Sequence, residues 1–554
     1  MVDQKTFQQS EYSMKPIYTI IGIASQLGLS ISGLSAQQKK MNVLFIAVDD
    51  FKPEIGCYGN KIIKTPNIDK LAQNGTVFLS NYCQQSVSGP TRASLLTGKR
   101  PDYTGVWDLK TRMRDVNPDI LSLPQYFISQ GYETAGVGKI YDPRCVDKAL
   151  DEPSWSIPYY KNSNDYFPAS TGEPALGQYQ LPETKALVEK LTTEAQAKGM
   201  KGKELREYVQ NSIKPSVENA DVPDNAYEDG ANTLHAKDIM AQLSKGTKPF
   251  FLAVGIHKPH LPFTAPKKYW DLYKRTDMPI AAFQKHALNS PDYAYTNSGE
   301  LRAYSDIPAL CSFTDQQTDI GLPVNKQQEL IHGYYACVSY TDALVGQLLH
   351  SLDSLGLREN TIIVIWGDHG WHLGDHDLWT KHTDFENATH APLIITAPGF
   401  KGNKSKSMIE FVDIFPTLCD LTGLPTPKNL DGVSLIPIMK NPEFSVKKYS
   451  ISQYPRSEKS TKLKAVGFPD GRVMGYSLRT ERYRITMWMA KSFRSNLPYD
   501  ESALASIELY DYQKDPLETV NVYNSKEYVS VAKDMKANML EFFKNQRNKL
   551  IDAK

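Results

Sequence analysis

The chain has 554 residues, of which 41% are hydrophobic and 23% are charged. This composition is typical of a folded globular protein, and the length allows one large domain and a smaller second one. The 63 Lys and Arg residues nearly balance the 62 Asp and Glu residues, which leaves a net charge of +1. No overall field therefore favours nucleic acid or an anionic membrane, and an anionic substrate must be bound by local charges.

The first predicted element is an apolar N-terminal segment. After Lys15 the chain reads PIYTIIGIASQLGLSISGLSAQQ, in which small residues, including Ala36, precede a polar stretch. The pattern predicts a secretory signal peptide over residues 1–36, and a buried N-terminal helix is the alternative. No later run approaches the roughly 18 apolar residues of a membrane span, so we expect none in the mature protein.

Apolar runs typical of strands in a parallel sheet recur through the first 400 residues, separated by helical patterns. Polar residues follow four of these runs: NVLFIAVDD (Asp49, Asp50), YETAGVGKI (Lys139), PFFLAVGIHKPH (His257, His260) and NTIIVIWGDHG (Asp368, His369). The pattern predicts an α/β fold with a mostly parallel sheet flanked by helices. Ligands of such sheets bind beyond the carboxyl ends of the strands, so we expect these side chains to share one crevice.

Asp49, Asp50, Asp368 and His369 form a candidate metal site. Three carboxylates brought together repel one another unless a cation lies between them. Oxygen-rich ligands favour a hard ion, so we expect Ca²⁺ first and Mg²⁺ second. A zinc site would contain more histidines.

The segment QQSVSGPTRASLLTGKRPD, residues 84–102, combines a helix start with a hydroxyl. Ser88 is predicted to cap the helix, Pro90 suits its first turn and Gly98 suits its end. The positive end of the helix would lie beneath Ser88 and favour an anion there. A well-capped helix with no chemical role is the alternative.

Two further segments supply candidate sugar-binding residues. DLKTRMRD, residues 108–115, offers Arg112 and Arg114 for an acidic sugar, although a solvated helix face is the usual origin of such a run. WHLGDHDLWTKHTDF, residues 371–385, suits a sugar ring on an aromatic face and a carboxylate near a cation. His376 is a candidate contact in that loop, and packing of the loop is an equal alternative.

The segment around Ser88 resembles the signature of the sulfatases, in which a Cys or Ser, then x-Pro-x-Arg and a later Leu-Thr-Gly, marks the residue oxidised to formylglycine. Other segments are similar to sulfatase segments in the same order: NVLFIAVDD, GCYGN, TPNIDKLA, GVGK, FFLAVGIHKPHLPF, GDHGWHLGDH and ELYDYQKDPLETVN. Within that family, HKPHLPF, DHGWHLGDHDLWTKH, ISQYPR and MGYSLRT are similar to segments of iduronate-2-sulfatases. The resemblance implies an alkaline-phosphatase-like fold, with a catalytic domain expected over residues 41–445 and a smaller C-terminal α+β subdomain over 446–554.

The resemblance also implies a nucleophile and its supports. Formylglycine formed from Ser88 would contact the metal, and one hydroxyl of its hydrate would attack sulfur while the other later expels sulfate. Arg92 would hold this group through charge-assisted hydrogen bonds. Lys139 and Lys381 would place positive charge where negative charge develops, and Lys381 matches the sulfate-binding lysine of the family.

His257 and His260, which follow the apolar run PFFLAVGI, are candidate proton donors. His257 suits protonation of the departing sugar oxygen, since an imidazole titrates near working pH. His260 would share that role or brace the loop. One position departs from the family pattern: most sulfatases have a histidine two or three residues after the catalytic lysine, and this chain has Asp142 there. Either the role of that histidine is lost, or Asp142 takes it over in a modified form.

These features predict an exo-acting sulfatase that removes the 2-O-sulfate of iduronate or an unsaturated hexuronate from heparin, heparan sulfate or related glycosaminoglycan fragments. The alternatives are a sulfatase of other carbohydrate specificity, a phosphomonoester or phosphonate hydrolase of the same superfamily, and a glycan-binding protein with a decayed site. A serine in the signature implies a bacterial protein that a Ser-type sulfatase-maturating enzyme modifies before export. Together with the N-terminal segment, it predicts a periplasmic or secreted location.

Overall fold

A computed structural model describes residues 40–160, 163–308, 321–456, 473–490 and 503–552. The predicted signal peptide lies outside these residues. The described residues from Lys40 onward belong to one compact unit. Among the helices that the structure describes, none combines the length and apolar character needed to cross a membrane.

The strands in the described part of the chain are β1 (Asn42–Val48), β2 (Thr76–Phe78), β3 (Asn81–Tyr82), β4 (Glu133–Gly138), β5 (Val217–Glu218), β6 (Phe250–Ile256), β7 (Phe263–Thr264), β8 (Thr361–Gly367), β9 (Leu393–Thr396), β10 (Asn403–Ser405), β11 (Ile409–Glu410), β12 (Ser450–Arg456), β13 (Val473–Arg479), β14 (Tyr483–Met489) and β15 (Leu504–Asp511). The α-helices are α1 (Pro66–Ala72), α2 (Ser88–Thr97), α3 (Pro101–Thr104), α4 (Met113–Val116), α5 (Leu123–Ser129), α6 (Pro182–Ala197), α7 (Gly202–Ser212), α8 (Glu228–Leu243), α9 (Lys267–Trp270), α10 (Gly299–Arg302), α11 (Val324–Ser354), α12 (Glu386–Thr389), α13 (Ile414–Leu421), α14 (Ile436–Lys440) and α15 (Val529–Asp552).

The centre of the fold is a seven-stranded sheet with the order β10-β2-β9-β8-β1-β6-β4. The neighbours β4, β6, β1 and β8 are parallel, whereas β9 runs antiparallel to β8 and β2. Strands β1, β6 and β8 are buried along their whole length, as their continuous apolar runs predict for strands covered on both faces. The expected α/β class, with a mostly parallel sheet, is confirmed.

Helices cover both faces of this sheet, because alternate residues of a strand point to opposite sides. On one face, Leu44 and Ile46 belong to a core that includes residues of α8 and α11. On the other face, Val43 and Phe45 pack in a core with residues of α2, α5 and α13. Helix α2, which carries Ser88, is thus fixed against the sheet by its apolar side chains.

The C-terminal part is a four-stranded antiparallel sheet in the order β12-β13-β14-β15. Its apolar face packs with side chains of α15, among them Met535 and Met539. This is the α+β subdomain that the resemblance implied. The boundary expected between residues 445 and 446 stays a prediction.

The register of the parallel strands brings their carboxyl ends to one edge of the sheet. Val48 lies opposite both Ile256 and Gly367, and Gly138 lies opposite Gly255. Gly138 has a φ of +77°, and a Cβ atom there would lie 2.0 Å from the carbonyl oxygen of Gly255, so only glycine suits this tight approach. The residues that follow β1, β4, β6 and β8 therefore emerge side by side.

Candidate active site

Ser88 lies at the first residue of α2, at the edge of the sheet where these strands end. The residue is 3% exposed. Its Oγ donates a hydrogen bond to Asp49 Oδ1 at 2.9 Å and lies 3.4 Å from His369 Nε2. The prediction that Ser88 caps the helix is wrong: Val87 occupies the N-cap position and no side chain caps it. The hydroxyl turns toward the acidic cluster because two residues of that cluster face the helix start.

The four predicted metal ligands come together in a buried cluster. Asp49 and Asp50 follow β1, and Asp368 and His369 follow the neighbouring β8. One ligand atom of each lies within 4.8 Å of the others, and all four residues are buried. His369 Nε2 lies 3.6 Å from Asp50 Oδ1 and 3.5 Å from Asp368 Oδ1.

The chemistry of this cluster fits a divalent cation. Oδ1 of Asp50 is buried and accepts no hydrogen bond, although Lys381 Nζ lies 2.9 Å away as an ion-pair partner. Burial, and then the charge of Asp49, raises the pKa of Asp368 to about 6. Burial also raises the pKa of Asp50 and lowers that of His369 to about 4. Burial thus disfavours the charged forms of Asp50 and Asp368, and a metal ion among the carboxylates would stabilise them.

Arg92 bridges the carboxylates that follow β1 and β8. It is fully buried, with Nη2 3.1 Å from Asp49 Oδ1 and Nε 3.0 Å from Asp368 Oδ2. Its Nη1 donates to the carbonyl oxygen of Ile140 at 3.0 Å. In the described contacts Arg92 bonds these carboxylates and not Ser88 itself, so it orients the ligands that surround the hydroxyl. Such charge-assisted bonds are strong and directional.

A pocket of about 760 Å³ opens above Ser88. Its lining includes the predicted residues Ser88, Lys139, His257, His260 and Lys381, and Asp142, the departure from the family pattern. Other lining residues are Tyr141, Arg144, Glu228, Asp229, Asn232, Glu300 and His382. Lys139 Nζ contacts Asp49 Oδ2, and His257 Nε2 lies 4.0 Å from the same oxygen. The pocket therefore joins the acidic cluster to a ring of basic groups.

Glu300 is one of the pocket residues that sequence reasoning missed. It lies on the short helix α10, and its carboxylate is 2.9 Å from Lys381 Nζ and 2.8 Å from His260 Nε2. Burial opposes its charge, but Lys381 and His260 lower its pKa well below the ordinary value. Nothing in the segment NSGELRAYS distinguishes this glutamate from a solvated helix residue, so only the tertiary structure places it.

Three predicted sugar contacts do not line the pocket in the described structure. Arg112 is exposed. Arg114 pairs with Asp151, with Nη2 3.0 Å from Oδ2, and donates to the carbonyl oxygen of Ile120 at 2.8 Å. His376 is buried, and its ring stacks on Phe385 with centroids 4.5 Å apart. Arg114 is thus paired with Asp151 and His376 is packed on Phe385, and sugar contacts for the three residues stay a prediction.

The electrostatics of the pocket distinguish the remaining basic groups. Burial lowers the pKa of His257 well below its usual range, and the charges of Lys139 and His260 lower it further. Lys381 behaves in the opposite way: burial disfavours its charge, but Asp50 and Glu300 raise its pKa. Lys381 is thus held as a cation, and His257 is a neutral imidazole whose proton affinity depends on the charge of its neighbours.

The sheet order and the C-terminal antiparallel sheet define an alkaline-phosphatase-like fold. The structure of a phosphonate monoester hydrolase of Agrobacterium radiobacter matches with a TM-score of 0.64 at 22% identity, covering 92% of this chain and 96% of that chain.

Residues 41–424 match the Sulfatase family, and residues 374–545 match the family described as N-sulphoglucosamine sulphohydrolase, C-terminal. Iduronate 2-sulfatase of Homo sapiens is 32% identical over 541 residues, covering 88% of this chain and 92% of that protein. A sulfatase of Formosa agariphila is 30% identical over 508 residues, covering 90% of this chain and 86% of that protein. The chain belongs to the sulfatase family, and its activity is hydrolysis of a sulfuric ester.

Proposed function

We propose that the protein removes the 2-O-sulfate from a terminal uronic acid, iduronate or unsaturated hexuronate, of heparin, heparan sulfate or related glycosaminoglycan fragments. The observation that carries this proposal is the 32% identity with human iduronate 2-sulfatase over nearly the whole of both chains. The pocket supports it, because about 760 Å³ is room for a sugar ring and part of its neighbour. Ser88 lies at its buried end, which suits a terminal sugar.

The residues present fit the two groups that sulfatases generally use, a divalent metal and formylglycine. Asp49, Asp50, Asp368 and His369 would hold the metal together with the oxygen of residue 88, and we infer Ca²⁺ before Mg²⁺ from the oxygen-rich ligands. When both groups are present, they supply an activated hydroxyl for attack on sulfur and a second hydroxyl for release of sulfate.

The protein's own side chains then bind the sulfate and move the proton. Lys139 and Lys381, both lining the pocket, place positive charge beside the sulfate oxygens, where negative charge develops. His257 is positioned to protonate the departing sugar oxygen. An arriving sulfate places negative charge beside its ring and opposes the effect of Lys139, so substrate binding raises the proton affinity of His257. His260, tied to Glu300, braces the same wall of the pocket.

The proposal extends to maturation and location. A serine at position 88 implies conversion by a Ser-type sulfatase-maturating enzyme before export, and the N-terminal segment implies a periplasmic or secreted protein. Expression without that enzyme should leave plain serine and little activity. Intact mass of the peptide over residues 84–100 measures conversion directly, as a loss of two hydrogens at Ser88.

The test of specificity uses matured enzyme and two matched pairs of substrates. An unsaturated uronate 2-O-sulfate disaccharide should be hydrolysed, whereas a disaccharide of the same backbone sulfated only at the glucosamine 6-position should not. An aryl phosphate should be a poorer substrate than the corresponding aryl sulfate. Preference for the 6-O-sulfated sugar would contradict the proposed specificity, and preference for phosphate by protein with unmodified Ser88 would favour the phosphomonoester or phosphonate hydrolase alternative.

A further inference from the structure

Asp142 stands where most sulfatases have a histidine. In the described contacts its carboxylate pairs with one side chain, that of Arg144. The guanidinium meets the carboxylate through two parallel bonds, Nε to Oδ1 at 2.9 Å and Nη2 to Oδ2 at 2.7 Å. The backbone N–H of Arg144 also donates to Oδ1 at 3.0 Å. Burial raises the pKa of Asp142, but the bonds from Arg144 and the charge of Lys139 lower it overall. Asp142 is therefore a buried carboxylate that holds Arg144 in one orientation.

Arg144 is the accessible cation of the pocket. Among the Lys and Arg side chains that line it in the described structure, Lys139 is 12% exposed and Lys381 is 4% exposed, whereas Arg144 is 56% exposed. The two lysines are paired with carboxylates deep in the site. An anionic group at the mouth of the pocket would therefore meet Arg144 first.

The ion pair between Asp142 and Arg144 leaves the outer edge of the Arg144 guanidinium available to a second anion. An arginine offers five N–H donors in a planar fork, and Asp142 takes the edge formed by Nε and one N–H of Nη2. No other side-chain bond to Arg144 occurs among the described contacts. The end formed by Nη1 and Nη2 can accept a second carboxylate in the same two-point geometry, which is the pairing that arginine favours over lysine.

The loop that carries Arg144 is fixed at both ends. Lys139 donates its backbone N–H to the carbonyl oxygen of Gly255 at 3.1 Å, and the carbonyl oxygen of Cys145 accepts from the backbone N–H of Met113 at 3.0 Å. Pro143 lies between Asp142 and Arg144 and restricts the backbone further. A preorganised cation of this kind loses little conformational freedom when it binds an anion.

We propose that Arg144, oriented by Asp142, binds the carboxylate of the uronic acid whose sulfate lies at Ser88, and so selects acidic over neutral sulfated sugars. This inference rests on the proposed function and assigns to Arg144 the specificity role that was predicted for Arg112 and Arg114. Asp142 is then a positioning residue.

The test compares a 2-O-sulfated uronate with its carboxyl-reduced counterpart, in which the sulfate is unchanged. In matured, metal-loaded enzyme, Arg144→Gln should raise KM for the uronate by about tenfold to a hundredfold, the size expected for a lost charge-assisted pair. Its kcat should change little, and the reduced substrate should be hydrolysed equally by both enzymes. Arg144→Lys should restore only part of the loss, since it keeps the charge and lacks the fork.

Arg358 offers a matched control outside the pocket. It makes the same two-point pair with Asp353, with Nε–Oδ1 2.7 Å and Nη2–Oδ2 2.9 Å, and is 29% exposed. Arg358→Gln should leave KM for both substrates unchanged. Asp142→Asn should raise KM for the uronate, and adding it to Arg144→Gln should cause little further increase, because both changes remove the same interaction.

Four outcomes separate the two proposals. If Arg144→Gln raises KM equally for both substrates, or for neither, Arg144 does not bind the carboxylate. Either result leaves the proposed function intact. If the unaltered matured enzyme hydrolyses other sulfated sugars but not the uronate, both the proposed function and the role of Arg144 fail. A loss confined to the carboxylated substrate supports both.

Discussion

At the scale of single residues, the site depends on which side chains bond to each carboxylate oxygen. Asp49 accepts from Ser88 and Arg92 through one oxygen and contacts Lys139 through the other. Burial opposes its charge, but Lys139 and Arg92 hold its pKa well below the ordinary value. Asp49 is therefore an anion that fixes the position of the hydroxyl, and the same carboxylate is one of the candidate metal ligands.

The side chain of Ser88 carries the first prediction. Ser88→Ala removes the one oxygen available for oxidation and attack, so kcat should fall by at least about 10⁴-fold, since loss of a nucleophile leaves only binding and electrostatic effects. Steady-state assays with an aryl sulfate, on the variant and the unaltered protein each co-expressed with the maturating enzyme, measure this. Folding should persist, because the substitution removes a single buried hydrogen bond, worth roughly 1 kcal/mol.

Ser94 provides the control on the same helix. It is buried, lies outside the residues that line the pocket and donates to the carbonyl oxygen of Lys99. Ser94→Ala should lower the melting temperature slightly and leave kcat unchanged. Retention of turnover by Ser88→Ala, in protein whose mass confirms the substitution, would exclude Ser88 as the nucleophile.

At the scale of elements, strand ends could be read from the sequence and the pairing of loop residues could not. Asp49, Asp50, Asp368 and His369 each follow an apolar run directly, so the rule that parallel strands end at one edge was enough to bring them together. Arg144 and Glu300 carry no such signal: a single charged residue in a loop or short helix has the same local pattern whether it pairs, binds or is solvated.

The same limit explains where expected contacts were not found. Arg114 lies in a basic run, and nothing nearby in the chain indicates that Asp151 will take its guanidinium. His376 sits in an aromatic loop whose packing on Phe385 depends on the folded structure. For Ser88, the helix start was predicted correctly, but the cap was not, because the cluster on the sheet competes for the hydroxyl.

The junction between the two-stranded sheet of β3 and β11 and the C-terminal sheet carries the second prediction. Glu410, on β11, lies 2.8 Å from Arg100 Nη2 and 2.7 Å from Lys447 Nζ, and accepts from the backbone N–H of Ile451, on β12, at 2.9 Å. Burial raises the pKa of Glu410, but Arg100 and Lys447 lower it to about 2. A lowered pKa in the folded state stabilises the fold above the unfolded value, near 4.5, and this stabilisation is lost as the pH falls toward 2.

Glu410→Gln should therefore lower the free energy of unfolding at pH 7 by about 3 kcal/mol, the order expected for breaking a buried ion pair. The difference between variant and unaltered protein should shrink between pH 5 and pH 2, which denaturant titrations at several pH values measure. Glu359→Gln, at an exposed glutamate, should stay within about 0.5 kcal/mol throughout. A difference that is constant with pH would show that packing, and not the charge of Glu410, stabilises the junction.

At the scale of the whole molecule, the candidate metal site joins segments that are far apart in the chain. It unites the ends of β1 and β8, which are neighbours in the sheet, with the start of α2 through Ser88 and Arg92. Uncompensated acidic charge at such a junction weakens the packing of all three elements. A bound cation should therefore support the fold of the main sheet as well as the reaction.

Removal of the metal carries the third prediction. A ligand that binds only the folded state stabilises it by RT ln(1 + [L]/Kd), about 2.7 kcal/mol at a hundred times Kd. Excess EDTA should therefore abolish sulfatase activity and lower the melting temperature by a few degrees. Ca²⁺ should restore both, and Mg²⁺ should restore them less well. Asp368→Asn should lose the dependence of the melting temperature on EDTA, because one ligand charge is removed. Activity and melting temperature that are both unchanged by EDTA would mean that Lys139, Lys381 and Arg92 balance the acidic cluster without a metal.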